Sequence, residues 1–146
     1  MNLSAVNHES ALPFRQPLAR NRIRFRILTA REDCAAVTLR LWKRDRPETA
    51  RSVPLWVRCR DALHAEWVCD VDFPEEAHYI KYFFILRGRD GDTAYCCEYG
   101  CTDHEPERGF FEVLQVGETE IPSRPDWCEG IVYYQIFPER FAVGNA

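Results

Sequence analysis

Apolar and polar residues alternate one by one along most of this chain. In "NRIRFRILT", Ile23, Phe25 and Ile27 fall on one face and Arg22, Arg24 and Arg26 on the other, which is the period of a strand with one dry and one wet side. "AAVTLRLWK" repeats the scheme, with Val37, Leu39 and Leu41 inward and Thr38, Arg40 and Trp42 outward. "SVPLWVRCR" reads as a third strand that puts Val53, Leu55, Val57 and Cys59 on one side and Trp56, Arg58 and Arg60 on the other, with Pro54 marking an edge or a bulge. A fourth is "EWVCDVDF", where Trp67 shares the face of Cys69 and Val71. "YIKYFFILRG" is almost continuously apolar, as a central strand covered on both faces would be. The "RDGD" that follows carries a tight-turn signal, and "TAYCCEY" completes a hairpin. "GFFEVLQV" supplies a last strand. No segment shows a helical period or a capping box. The pattern predicts an all-β fold, an immunoglobulin-like β-sandwich of about seven to eight strands over residues 1–116.

The texture changes at Gly117. "GETEIPSRPD", residues 117–126, is polar, bears prolines and does not alternate, so it reads as a linker. Beyond it "DWCEGIVYYQIFPERFAVGNA" holds an apolar run, Ile131 to Phe137, that breaks at Pro138. This second strand-like segment, within residues 127–146, does not belong to the alternating sandwich.

Composition narrows the function classes. At 146 residues with 46% hydrophobic and 29% charged positions, the chain has material for one core and is not composed like a disordered tail. A formal net charge of -4 supplies no basic field, so no nucleic-acid partner is expected. The seven cysteines are odd in number and irregularly spaced, unlike a secreted disulfide framework, which points to a reducing, cytoplasmic setting. The first residues lack a signal peptide's basic start and apolar middle, and no run approaches the ~20 apolar residues of a membrane span, so no membrane partner is expected.

The final segment carries a resemblance. Tyr134, Gln135, Ile136, Phe137, Pro138, Glu139, Arg140 and Phe141 resemble the start of the catalytic barrel in the α-amylase family, glycoside hydrolase family 13. Upstream, "AVNHES", "RIRFRILTAREDCAAVTLRLWKRD", "YIKYFFIL" and "EYG" are similar to the N-terminal domain of the neopullulanase, cyclomaltodextrinase and maltogenic amylase group, a carbohydrate-binding module of family 34. The resemblance implies that residues 127–146 are the truncated start of a (β/α)8 barrel, whose strands aim their C-terminal ends at the active-site face. It also implies a retaining hydrolase of α-1,4, and perhaps α-1,6, glucosidic bonds in maltooligosaccharides, cyclodextrins or pullulan. Its carboxylate pair would lie on later barrel strands, so no catalytic residue is expected within this chain, Glu139 included.

Sugar recognition by a sandwich rests on aromatic rings that stack on pyranose faces. Trp67 reads as core and Trp127 heads the barrel segment, which leaves Trp42 and Trp56, on the arginine-bearing faces, as the carbohydrate-binding candidates. An outward tryptophan can equally cover a linker or a subunit contact. The resemblance singles out Trp42, because in that group two chains pair as a homodimer and the N-terminal domain of one narrows the cleft of the other around α-glucan oligosaccharides. Many relatives bind calcium in the loop after the Arg-Phe pair. Here Val143 replaces the first expected ligand and only Asn145 remains, too few for an ion that takes six to eight oxygens. No cofactor is expected in this chain, and calcium only in the longer protein. Cys96, Cys97, Cys101 and His104 cluster, but without the second knuckle of a structural zinc site they read as free thiols. His8 and Glu9 read as hydrogen-bonding anchors for the first strand or an interface.

Overall fold

The computed structural model describes residues 1–121 together with Gly130 and Val132. Within them ten strands form two antiparallel sheets, an immunoglobulin-like sandwich as the alternation predicts. The strands are β1 (Arg15–Ala19), β2 (Arg22–Ala30), β3 (Cys34–Lys43), β4 (Arg46–Pro54), β5 (Trp56–Arg60), β6 (His64–Asp72), β7 (His78–Gly88), β8 (Thr93–Cys97), β9 (Gly100–Thr102) and β10 (Phe111–Gln115). One sheet has the order β1-β2-β6-β5. The other runs β4-β3-β7-β8-β9, with β10 paired to β7. Strand β7 is long enough to use its second edge twice, against β10 over residues 78–82 and against β8 over residues 84–87.

The dry faces meet in one core. Ile23, Phe25 and Ile27 of β2 and Trp67, Cys69 and Val71 of β6 oppose Val37, Leu39 and Leu41 of β3 and Ile80, Tyr82, Phe84 and Leu86 of β7. Each buried side chain of this size contributes about 1.5–3 kcal/mol relative to leaving it in water. Trp67 is core, as its face-mates Cys69 and Val71 require, and its Nε1–H donates to Thr29 Oγ1 at 3.0 Å.

"SVPLWVRCR" is not one strand, which corrects the sequence reading. The chain passes from β4 in the larger sheet to β5 in the smaller at Leu55, which is buried and donates its N–H to the Val37 carbonyl at 2.9 Å. A register irregularity between Val57 and Cys59 then reverses the parity, so Cys59 faces solvent rather than the core. Two strands escape the alternation altogether: β1 is an edge strand with Pro17 at its centre, and β9 has three residues. The polar first half of β4, an edge strand exposed along most of its length, shows no period either.

After β10, Glu118–Glu120 form a short 3-10 turn. Ile121 packs against the core and Arg15 bonds the Glu120 carboxylate at 3.1 Å. Apart from Gly130 and Val132, the segments read as a barrel strand and a calcium loop, including Trp127, Glu139, Val143 and Asn145, lie outside the described residues.

Candidate functional site

Strand parity sends Trp42 to the outer face of the larger sheet, because its neighbour Leu41 is committed to the core. Register then brings two aromatics of other elements to it. Arg40 stands opposite Phe83 and Trp42 opposite Lys81 on β7, while Phe110 arrives from the segment that precedes β10. The Trp42 and Phe110 rings meet edge to face with centroids 4.8 Å apart, and both meet Phe83, at 6.1 and 6.0 Å. Tyr95 of β8 closes the row at 6.2 Å from Phe83. Lys81 places its ammonium 5.8 Å from the Phe110 centroid, a cation–π contact.

The connection from β9 to β10, residues 103–110, returns over this face and buries Phe83. It is tied down where the Glu98 N–H donates to the Gly109 carbonyl at 2.8 Å. Gly109 has φ 70°, and a Cβ there would collide with the Tyr99 ring, so the turn needs glycine on both counts.

Between the returning segment and β4 lies a hollow of about 230 Å³ with Trp42, Phe83 and Phe110 as its apolar wall and Arg40 and Glu105 among its polar residues. A second hollow, about 250 Å³, opens on the other side of Trp42 beneath the β3–β4 hairpin. There the Lys43 ammonium bonds Glu75 at 2.7 Å and holds that carboxyl below its ordinary range. Half-buried Trp42 thus separates two recesses, each combining apolar surface with charged groups. This is the composition a sugar ring asks for: a flat apolar face beside hydrogen-bonding groups.

Trp56 does not join it. Its register partner is Val68 on the outer face of the other sheet, and it is 51% exposed beside a ladder of ion pairs. Arg24 grips Asp70 through two bonds of 2.7 and 2.9 Å, which lowers the Asp70 pKa. Arg26 and Arg58 converge on Glu66 at 3.5 and 3.3 Å. The two candidate tryptophans stand on opposite sides of the sandwich and cannot form one site.

His8 is buried in an aromatic box of Phe14, Tyr82, Phe84 and Phe111, with centroids 4.6–5.8 Å from its own. Its Nδ1–H donates to the Arg26 carbonyl at 2.6 Å, and Nε2 lies 3.1 Å from the Tyr82 hydroxyl. That hydroxyl is also 3.1 Å from Ser10 Oγ, which donates to the Glu112 carbonyl at 2.8 Å. Burial pushes His8 down to about 4. It is an anchor that pins the N-terminal segment across both sheets, as expected, and it has no nucleophile to serve.

Cys96 and Cys101 face each other across β8 and β9, while Cys97 points to the other side of the sheet. His104 is exposed and paired with Asp103 at 2.9 Å. No three metal-binding side chains converge among the described residues, so the cluster does not assemble there.

The sequence readily yields Trp42, but not Phe83, Phe110 or Glu105, because these reach the site through register and a loop return. The doubled aromatics Phe83–Phe84 and Phe110–Phe111 are the local signals, since adjacent strand positions point to opposite faces.

Residues 1–117 match the profile of the family described as "Alpha amylase, N-terminal ig-like domain". The cyclomaltodextrinase of Thermoanaerobacter pseudethanolicus is 29% identical over 147 residues, covering 97% of this chain and 25% of that protein. Neopullulanase 2 of Thermoactinomyces vulgaris is 38% identical over 66 residues, covering 45% of this chain and 11% of the relative. A solved cyclomaltodextrinase superposes with a TM-score of 0.78 at 28% identity, over 99% of this chain and 25% of that one. The chain therefore spans about a quarter of the length of the cyclomaltodextrinases it matches.

Proposed function

The chain belongs to the α-amylase N-terminal Ig-like domain family, and from that premise we propose that it is the noncatalytic N-terminal part of a cyclomaltodextrinase-type glycoside hydrolase. In this reading residues 1–116 are the sandwich, 117–126 a linker and 127–146 the first segment of a catalytic (β/α)8 barrel. The whole enzyme hydrolyses α-1,4, and perhaps α-1,6, glucosidic bonds in maltooligosaccharides, cyclodextrins or pullulan. The sandwich helps two copies to pair and shapes the wall of the active-site cleft. The odd number and irregular spacing of the seven cysteines support a reducing, cytoplasmic setting in this reading.

The observation that carries the reading is the Trp42 face. Trp42 packs against Phe83 and Phe110 between two recesses, so its indole is already positioned beside charged groups for a glucose ring. Stacking on a pre-positioned aromatic loses little side-chain entropy. Trp56, isolated on the opposite sheet, is assigned to a subunit or domain contact instead.

A second reading is an autonomous module that binds starch or oligosaccharides by itself, favoured by the aromatic wall of the 230 Å³ hollow. Calorimetric titration of the 146-residue chain with maltoheptaose and with β-cyclodextrin separates the two. Silence with both sugars supports the cleft-wall role; saturable binding that disappears in Trp42→Ala supports the module.

A further inference from the structure

The β8–β9 hairpin carries chemistry that sugar recognition does not use. Its loop has two residues, Glu98 and Tyr99, between the paired positions Cys97 and Gly100, and Gly100, the first residue after the loop, takes a left-handed φ of 109°. In a two-residue hairpin the pair flanking the loop is hydrogen-bonded, so the next pair, Cys96 with Cys101, is of the non-hydrogen-bonded kind. Its Cα atoms stand about 4.5 Å apart, inside the roughly 4.4–6.8 Å span that a disulfide bridges. Both side chains lie on the core side of the sheet: Cys96 is a core residue and Cys101 packs against the same core. We propose that Cys96 and Cys101 are an oxidisable pair that closes to a disulfide by exchange with a small-molecule disulfide of the glutathione type.

The two thiols are differentiated for this. Cys96 is 5% exposed, whereas Cys101 is half-buried on the short edge strand β9, where a reagent can approach. Interaction between the two facing thiols holds Cys101 below its ordinary range and pushes Cys96 up. The other described thiols are poor competitors. Cys59 is exposed, but its S–H is engaged by the Glu66 carboxylate at 3.2 Å and its pKa is raised. Cys69 is buried and pushed up to about 12. Cys34 is buried and raised, and Cys97 is buried on the other face.

The reaction runs in two displacements. The Cys101 thiolate attacks one sulfur of the external disulfide, forming a mixed disulfide and expelling one thiolate. Cys96 then loses its proton to solvent and attacks the Cys101 sulfur, expelling the second thiolate. Two protein thiols are oxidised to one disulfide and one small disulfide is reduced to two thiols. The bond would tie the root of the 103–110 connection, two residues before the segment that carries Glu105 and Phe110 to the Trp42 face. The proposal does not depend on sugar binding.

To test it, the 146-residue chain is equilibrated with glutathione disulfide in a glutathione buffer, quenched in acid, alkylated and cut after Glu98 with a glutamate-specific protease. The expected product is the Cys101 peptide joined to the Cys96–Cys97 peptide with loss of two hydrogens, and Cys97→Ser keeps that link. Cys96→Ser should stop with glutathione on Cys101, and in the reduced protein Cys101 should be alkylated about tenfold faster than Cys59. The proposal is overturned if Cys97→Ser abolishes the link, or if glutathione settles on Cys59 while Cys96 and Cys101 remain free thiols.

Discussion

The Trp42 and Phe110 rings meet edge to face at 84° with their centroids 4.8 Å apart, although the two residues are far apart in sequence. The contact exists because β3 presents Trp42 outward and the connection from β9 returns over the same face before β10 begins. It gives the outer side of the larger sheet an aromatic cover that the charged outer side of the smaller sheet lacks.

Phe110→Ala should therefore free the Trp42 indole without unfolding the sandwich. An aromatic pair of this geometry adds about 0.5–1.5 kcal/mol beyond its buried area, and the half-buried ring itself somewhat more. We expect a loss of about 1–2 kcal/mol in urea unfolding and a red-shifted tryptophan emission. Unchanged emission would mean that Phe110 does not hold Trp42.

Gly109→Ala should damage the same connection by a different route. The new Cβ meets the Tyr99 ring at a left-handed backbone position, so the connection must shift. The expected outcome is faster amide exchange at Glu98, whose N–H bonds the Gly109 carbonyl, with little change in the core strands.

Thr29→Val keeps shape but removes the acceptor of the Trp67 indole N–H. A buried donor left without a partner costs about 1–3 kcal/mol. Thr29→Ser, which restores the oxygen, should recover a good part of that loss in the same unfolding measurement.

Stability should fall as the solution is acidified from neutrality, in part because of His8. Its pKa is lowered from 6.5 to about 4 in the folded protein, so between these values the unfolded chain binds a proton that the folded one excludes. The neutral-state contribution is full above about pH 6.5 and is lost as pH falls towards 4, amounting to about 3 kcal/mol when complete. His8→Gln should be less stable at pH 7.5 and should show a flatter urea midpoint between pH 7 and 5. An equally steep slope in the variant would assign the effect elsewhere.

The strands with a dry face were legible because period two survives wherever a core lies on one side: Ile23, Phe25 and Ile27, or Val37, Leu39 and Leu41, could sit no other way. Where no core imposes the period, the reading failed. Edge strand β1 carries Pro17, the first half of β4 is polar on both faces, and the sheet crossing at Leu55 looks like more of the same alternation. Alternation also cannot say which sheet a strand joins. Trp42 and Trp56 look equivalent in sequence and lie on opposite sides of the molecule. The partners of Trp42 and the facing of Cys96 against Cys101 are properties of register and loop length, which arise only once the strands pair.

On the proposed function, Trp42 forms part of the cleft wall of a cyclodextrin-hydrolysing enzyme. The most direct test is steady-state kinetics of the full-length protein and its Trp42→Ala variant on β-cyclodextrin and maltotriose, with thermal unfolding as the control for folding. We predict that kcat/KM for β-cyclodextrin falls about tenfold, equivalent to about 1.4 kcal/mol of transition-state contact, and changes less for the shorter sugar. A folded variant with unchanged kinetics on both substrates would contradict the claim.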